Sequence, residues 1–533
     1  PEYPDEIPLQ AGSEYALPPG ASEYGTNPDF DSVTGQLSWG SFDGTPKPIT
    51  IDITNYNDVE FNQDLLVELY FPGTQPTSLT DRGLGNVHFC VLTILFDNER
   101  GDAQPAGALD RMHNMDDDSS TLPHPYNLHP GANNTVYAVA VQSDGKSVIG
   151  GDFSAYDTEV RNRIARMNAN GLLDTTFNPP GGADQFVSCL AIDPAGNVVA
   201  GGAFNSMNGI NSKGVARLLP NGTSDTSFSP GAGASDIVWA LAFQTNSIIV
   251  AGQFTYFNNL PASFIARLSP AGAFDQSFVP NIDGPIQAVA VQPDGKILIG
   301  GDFLTVNGTP RTRMARLNAN GSLDTSFDPG YGFDNTVYTI VLQSDGRIVA
   351  GGSFQNVGAQ SRNSIVRLNS NGSVDQSFAP GEGADDTIYS INIQPDGGII
   401  ACGVFSTFNQ VRRNTMVRLF PNGVVDTGFM DTAYNQFAGL PTHYWDPNVE
   451  TRNFIYSSAL QPDGNLMIAG GFHRVGGGWT RDDVRYRENV CRIIGGATPG
   501  PGNMSFAYNS ISADQFSDQV FVTLNRQNGT LGP

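Results

Sequence analysis

Seven times along the chain an apolar run ends in a pair of small residues, one variable residue and a phenylalanine. The seven are Gly150-Gly151-Asp152-Phe153, Gly201-Gly202-Ala203-Phe204, Ala251-Gly252-Gln253-Phe254, Gly300-Gly301-Asp302-Phe303, Gly351-Gly352-Ser353-Phe354, Cys402-Gly403-Val404-Phe405 and Ala469-Gly470-Gly471-Phe472. The phenylalanines stand 51, 50, 49, 51, 51 and 67 residues apart. A period of that size marks a stack of supersecondary units, each too small to bury its own apolar face. Within a unit the pattern alternates with period two, as in Val136-Tyr137-Ala138-Val139-Ala140-Val141, and Asp-Gly or Asn-Gly turns punctuate it (Asp144-Gly145, Asp294-Gly295, Asn170-Gly171, Asn320-Gly321). These are hairpin signals. Four short strands per unit, repeated seven times, predict an all-β fold with a seven-bladed β-propeller.

Composition agrees. Gly 61 and Pro 35 in 533 residues, with only 15% charged side chains, lie far from the roughly 25% charged average and from any mainly helical protein. The net charge of −25 repels nucleic acid and anionic membrane surfaces, so neither partner is expected. No run reaches the 18 or more apolar residues of a spanning helix, and membrane insertion is not expected. A chain that starts at Pro1 reads as a mature or excised piece.

An open ring of blades leaves a sheet edge. The seventh unit ends at Cys491-Arg492-Ile493-Ile494 without the Leu-Asp-x-x-Phe strand of the others, and a matching Gly107-Ala108-Leu109-Asp110 precedes the first unit. The segment 100–130 is therefore expected to link and to close the propeller of 131–498. Each unit carries an arginine in its third strand and an aspartate eight residues on, as in Arg166 with Asp174 and Arg316 with Asp324, while Arg492 would take Asp110. A pair in every blade is what a structural fastening between strands requires, and a single binding site does not. Cys189, Cys402 and Cys491 replace small strand residues, and Cys90 lies in another apolar strand. They read as buried hydrophobes.

The units resemble the delta-60 repeat family over about 105–498. Residues 311–327 carry its pattern of Arg-x-Ala-Arg-Leu-Asn followed by Asn-Gly-Ser-Leu-Asp-x-Ser-Phe. The resemblance implies a propeller of bacterial secreted or surface proteins with no defined catalytic residues. Residues 13–99 are similar to the later strands of a Calx-β domain, an immunoglobulin-like sandwich. The resemblance rests on Asp29-Phe30, Gly35-Gln36-Leu37-Ser38-Trp39, Leu65-Leu66-Val67-Glu68-Leu69 and the run ending Phe96-Asp97-Asn98-Glu99. The opening two strands of that domain are matched at 500–533, by Met504-Ser505-Phe506-Ala507-Tyr508 and Val520-Phe521-Val522-Thr523-Leu524. Domain boundaries follow at 1–99, 100–130, 131–498 and 499–533.

The split sandwich can be completed in three ways: within one chain, by the next subunit, or between consecutive modules of a longer chain. Completion between units is strand addition to a sheet edge, with Phe506, Tyr508, Val520, Val522 and Leu524 as the assembly strands. The partners would be copies of the chain itself, and the expected function is a structural repeating subunit of an extracellular or cell-surface bacterial fibre. The other expectation is a surface adhesin. The aromatic insertion at 430–453, with Tyr444 and Trp445, would hold a glycan or surface protein, pack a neighbouring subunit, or cover the sandwich junction. Calx-β domains often bind calcium, and the resemblance places that cofactor at Asp29, Asp58, Glu60 and Asp97, with Gln63, Asn55 and Gln515 departing from the pattern. His113, Asp116, Asp117, Asp118, His124 and His129 read as a surface loop or a metal cluster. No catalytic motif of the Gly-x-Ser-x-Gly, P-loop or His-Glu-x-x-His kind is present, and no enzyme is expected.

Overall fold

The computed structural model describes residues 63–68, 89–94, 106–110, 113–114, 130–430, 453–475, 485–496, 503–506 and 524–527. The chain divides into two compact units, 1–104 and 105–533. In the first, Gln63–Glu68 pairs antiparallel with Phe89–Ile94.

The second unit is all-β, with propeller-like repeats. Among the described residues, seven three-stranded antiparallel sheets follow one another along the chain. The fourth repeat is typical, with Ile286–Val291, Ile297–Gly301 and Met314–Leu317 paired in that order. Its second strand is buried throughout, which explains the continuous apolar run Ile297-Leu298-Ile299. The Asp294-Gly295 hairpin forms because Gly295 takes φ +83, a conformation other residues reach only at a cost. The Lys296 amide donates to Asp294 Oδ1 at 3.1 Å.

The expected fourth strand is shorter than its sequence suggests. Leu317 makes one bridge to Leu323, and the Asp324 amide donates to Arg316 O at 2.8 Å. The chain then turns, because the Ser326 amide and hydroxyl both donate to Asp324 Oδ1 at 3.0 and 2.6 Å. Such an Asx turn competes with ladder bonds. Each sheet is blade-like, with three full strands and a bridged fourth.

A two-residue hairpin stands between second and third strands, for example Thr305–Val306 with Thr309–Pro310. Asp283 fixes it by accepting from the Leu304 and Thr305 amides at 2.8 and 2.9 Å. Asp184, Asp334 and Asp385 do the same in their repeats.

The first strands of consecutive sheets pack side by side, and Phe454–Leu460 of the seventh packs against Val136–Val141 of the first. Apolar clusters lie between neighbouring sheets. One joins Met314 and Leu298 to Phe354 and Val366. The motif phenylalanines Phe153, Phe204, Phe254, Phe303 and Phe354 are wholly buried. Leu109 bridges Ile493, and Gly107 and Asp110 donate to Ile494 O and Arg492 O at 2.8 and 2.9 Å. The segment before the repeats thus lies along the outer edge of the seventh sheet.

Candidate functional site

The paired small residues of the motif act on the first strand. In the fourth repeat the register runs from Ile286↔Gly301 to Ala288↔Gly300, leaving Gln287 as an extra residue. The same β-bulge recurs in all seven first strands, at Tyr137, Ser188, Trp239, Gln287, Tyr338, Tyr389 and Tyr456. Its cause is close approach. A Cβ on Gly301 would fall inside the carbonyl oxygen of Pro285, and Gly151, Gly202, Gly252, Gly352, Gly403 and Gly470 meet the equivalent oxygens. The preceding position is looser. A Cβ on Gly300 would meet the Val337 side chain at 2.7 Å, and Ala251, Cys402 and Ala469 occupy that place elsewhere.

A bulge re-aims the side chain it carries. Five of the seven bulge residues are aromatic, and Phe186 supplies a ring beside Ser188. Centroids follow one another at 5.1 Å (Tyr338–Tyr389), 5.0 Å (Tyr389–Tyr456), 5.3 Å (Tyr456–Tyr137), 5.4 Å (Tyr137–Phe186) and 6.1 Å (Phe186–Trp239). Phe454 packs on Tyr456 at 4.5 Å. The result is a partly exposed aromatic collar drawn from six repeats, interrupted at Gln287.

Three of the collar's phenols, Tyr137, Tyr389 and Tyr456, are shifted toward the protonated form. Burial raises Tyr389 to about 12, with Tyr456, Tyr338 and Asp386 adding to it. Burial, Tyr456 and Asp152 raise Tyr137, and burial and Tyr338 raise Tyr456. No lysine or arginine occupies a bulge position. The sequence reading overlooked this site, although an aromatic in the second place of Val136-Tyr137, Val238-Trp239, Val337-Tyr338 and Ile388-Tyr389 was its visible signal.

The predicted arginine–aspartate pairs are present in all seven sheets. Nε–Oδ2 distances are 2.8 Å for Arg166–Asp174, 2.8 Å for Arg316–Asp324 and 2.7 Å for Arg492–Asp110. Each of these arginines also donates to a carbonyl of the next sheet: Arg166 to Pro220 O at 2.8 Å, Arg316 to Ser370 O at 2.7 Å, and Arg492 to Ala169 O of the first repeat at 2.9 Å. The guanidinium lies over a phenylalanine as well, 4.9 Å from Phe177 and from Phe327. Burial raises the pKa of Asp324, but hydrogen bonds from Ser326, Lys296 and Arg316 outweigh it and hold the carboxylate far below its usual range. Thr176, Lys146 and Arg166 do the same for Asp174. These groups fasten strands and sheets.

His113 is not on a surface loop. It is 2% exposed and lies against the Asn170-Gly171 turn, where a Cβ on Gly171 would meet its ring at 2.7 Å. Burial first, then Arg492 and Arg487, lower its pKa to about 3. Asp116, Asp117, Asp118, His124 and His129 lie outside the described residues, as do Asp29, Asp58, Glu60, Asp97, Tyr444, Trp445, Tyr508, Val520 and Val522. Phe506 and Leu524 are paired in the antiparallel strands Asn503–Phe506 and Leu524–Gln527. Among the described residues no three His, Cys, Asp or Glu side chains cluster as a metal site, and no helix is long and apolar enough to cross a membrane. Cys402 and Cys491 are buried, whereas Cys189 is partly exposed.

No curated protein matches the sequence. Among solved structures, the chain is similar to the WD40 β-propeller domain of Doa1, at 14% identity over 68% of this chain and 94% of that one, with a TM-score of 0.43. It is also similar to the extracellular domain assigned to a hybrid two-component system of B. thetaiotaomicron, at 14% identity over 80% and 46%, TM-score 0.42. Streptogramin B lyase matches at 11% identity over 64% and 92%, TM-score 0.36. A family described as a domain of unknown function (DUF5122) β-propeller matches residues 142–177, 194–228, 244–278, 292–327, 343–378 and 394–429. The seventh sheet falls outside, since its bridged edge comes from Leu109 and no contiguous stretch carries its whole motif. Residues 142–429 thus carry six tandem DUF5122 β-propeller repeats.

Proposed function

We propose that this chain is a structural repeating subunit of an extracellular bacterial fibre, joined head to tail by strand completion. The observation that supports the reading is that, among the described residues, Gln63–Glu68 pairs antiparallel with Phe89–Ile94 and Asn503–Phe506 with Leu524–Gln527, one pair in each stretch that resembles part of a Calx-β sandwich. Each has the resemblance of half a Calx-β sandwich, and the two halves complement each other between copies. The seven sheets then form a seven-bladed, delta-60-type propeller that serves as a rigid bead. The packing of Phe454–Leu460 of the seventh sheet against Val136–Val141 of the first supports a ring of seven.

Negative-stain electron microscopy of the full chain beside a form lacking 500–533 tests this. Filaments from the first and none from the second are expected. Single particles in both samples overturn it.

The second reading is a surface adhesin that binds through its propeller. The collar favours it over a purely structural role, because an inert bead has no need of partly exposed aromatics in six repeats. Titration with a glycan array separates the two readings.

A further inference from the structure

The bulges spend backbone regularity on aiming seven side chains. Five are Tyr or Trp, none is basic, and carboxylates border them. Asp236 lies three residues before Trp239 and Asp386 three before Tyr389. Asp152 follows Gly151, opposite the Tyr137 bulge, and is partly offset by Arg163 at 3.5 Å. Asp236 and Asp386 turn one oxygen to the Ile237 and Thr387 amides, at 2.8 and 2.7 Å.

Aromatic faces carry negative quadrupole density and attract cations. A neutral apolar guest gains only from burial, and an anion is repelled by both rings and carboxylates. We propose that the collar of Tyr137, Trp239, Tyr338, Tyr389 and Tyr456 is a binding site for an alkylammonium cation. This site does not depend on the fibre reading, since it lies within the propeller-like repeats and needs no strand exchange.

The discriminating probes are choline and its uncharged isostere 3,3-dimethylbutan-1-ol, which share shape and differ in charge. Each is titrated into the full chain by isothermal calorimetry and by Trp fluorescence. Choline is expected to saturate and to bind at least about tenfold tighter than the isostere. Tyr389→Leu should weaken choline binding by about tenfold, while Tyr389→Phe, which keeps the π face, retains it. Equal circular dichroism and melting of the two variants shows that folding is not the cause. Equal affinity for choline and the isostere overturns the proposal, as does the absence of saturation by choline. Saturation by maltohexaose without choline binding overturns it in favour of a carbohydrate.

Discussion

Gly300 and Gly301 are neighbours with different duties. Gly301 has no room for a Cβ beside the Pro285 carbonyl, whereas Gly300 faces the flexible ends of Val337 and Ile340. Gly301→Ala should cost about 2–3 kcal/mol by forcing a shift of backbone, and Gly300→Ala should cost less than half of that in urea unfolding. Asp324 gives a pH-dependent test. Its folded pKa is depressed, so its contribution is full above the unfolded value of about 4 and is lost as pH falls below it. Asp324→Asn removes the carboxylate charge that Arg316 and Lys296 share and should destabilise by about 3 kcal/mol at pH 7. The gap to the wild type should narrow below pH 4. His113 acts over a higher window. Its folded pKa of about 3 lies below the ordinary 6.5, so the neutral form is favoured by folding. Stability should fall by up to about 1.4 kcal/mol per pH unit from 6.5 toward 3, and His113→Leu should flatten that slope. The arginine–aspartate pairing was legible in the sequence because it repeats at a fixed spacing. The burial of His113 was not, since its neighbour Gly171 lies 58 residues on and nothing local marks the contact.

At the scale of the strand and sheet, the sixth junction is the exception. Arg418 pairs with Asp426 but turns its remaining donors to Gln394 and Asp396 rather than to the next sheet. Gly398 stands where Lys146, Lys296 and Arg347 stand in other repeats. Without a side chain there, Arg418 has space to swing, and a Cβ would meet its Nη2 at 2.9 Å. Other bonds span the junction: Gln394 Nε2 donates to Gly495 O at 2.6 Å, and Asn392 Nδ2 to Ser458 Oγ at 2.7 Å. Asn392→Ala should therefore speed amide exchange in Phe454–Leu460 more than Gln292→Ala speeds it in Val337–Leu342, as hydrogen-exchange mass spectrometry would show. Strand order and turns were readable from period-two patterning and Asp-Gly pairs. The shortened fourth strand was not, because Leu-Asp-x-Ser-Phe alternates like a strand until the Asx turn stops it. The bulges were also hidden, since the glycines that permit them lie on the partner strand.

Over the whole molecule the seventh sheet is assembled from distant parts. Leu109 is wholly buried among Ile400, Met416 and Phe429 of the sixth repeat and Ile468, Cys491 and Ile493 of the seventh. Leu109→Ala should cost about 2–5 kcal/mol and loosen both repeats together in exchange experiments, where a substitution in an isolated repeat would loosen one. The closing segment was visible because Gly107-Ala108-Leu109-Asp110 copies the missing motif. The pairing also fixes where force enters. Ala106 and Gly496 are neighbours, so a pull along the chain arrives and departs at one end of the same antiparallel pair. The load then opens its bonds one after another, from Gly107–Ile494 inward to Asp110–Arg492, instead of shearing them together. The first six repeats hang beside the line of tension, and this pair is the zipper that yields first.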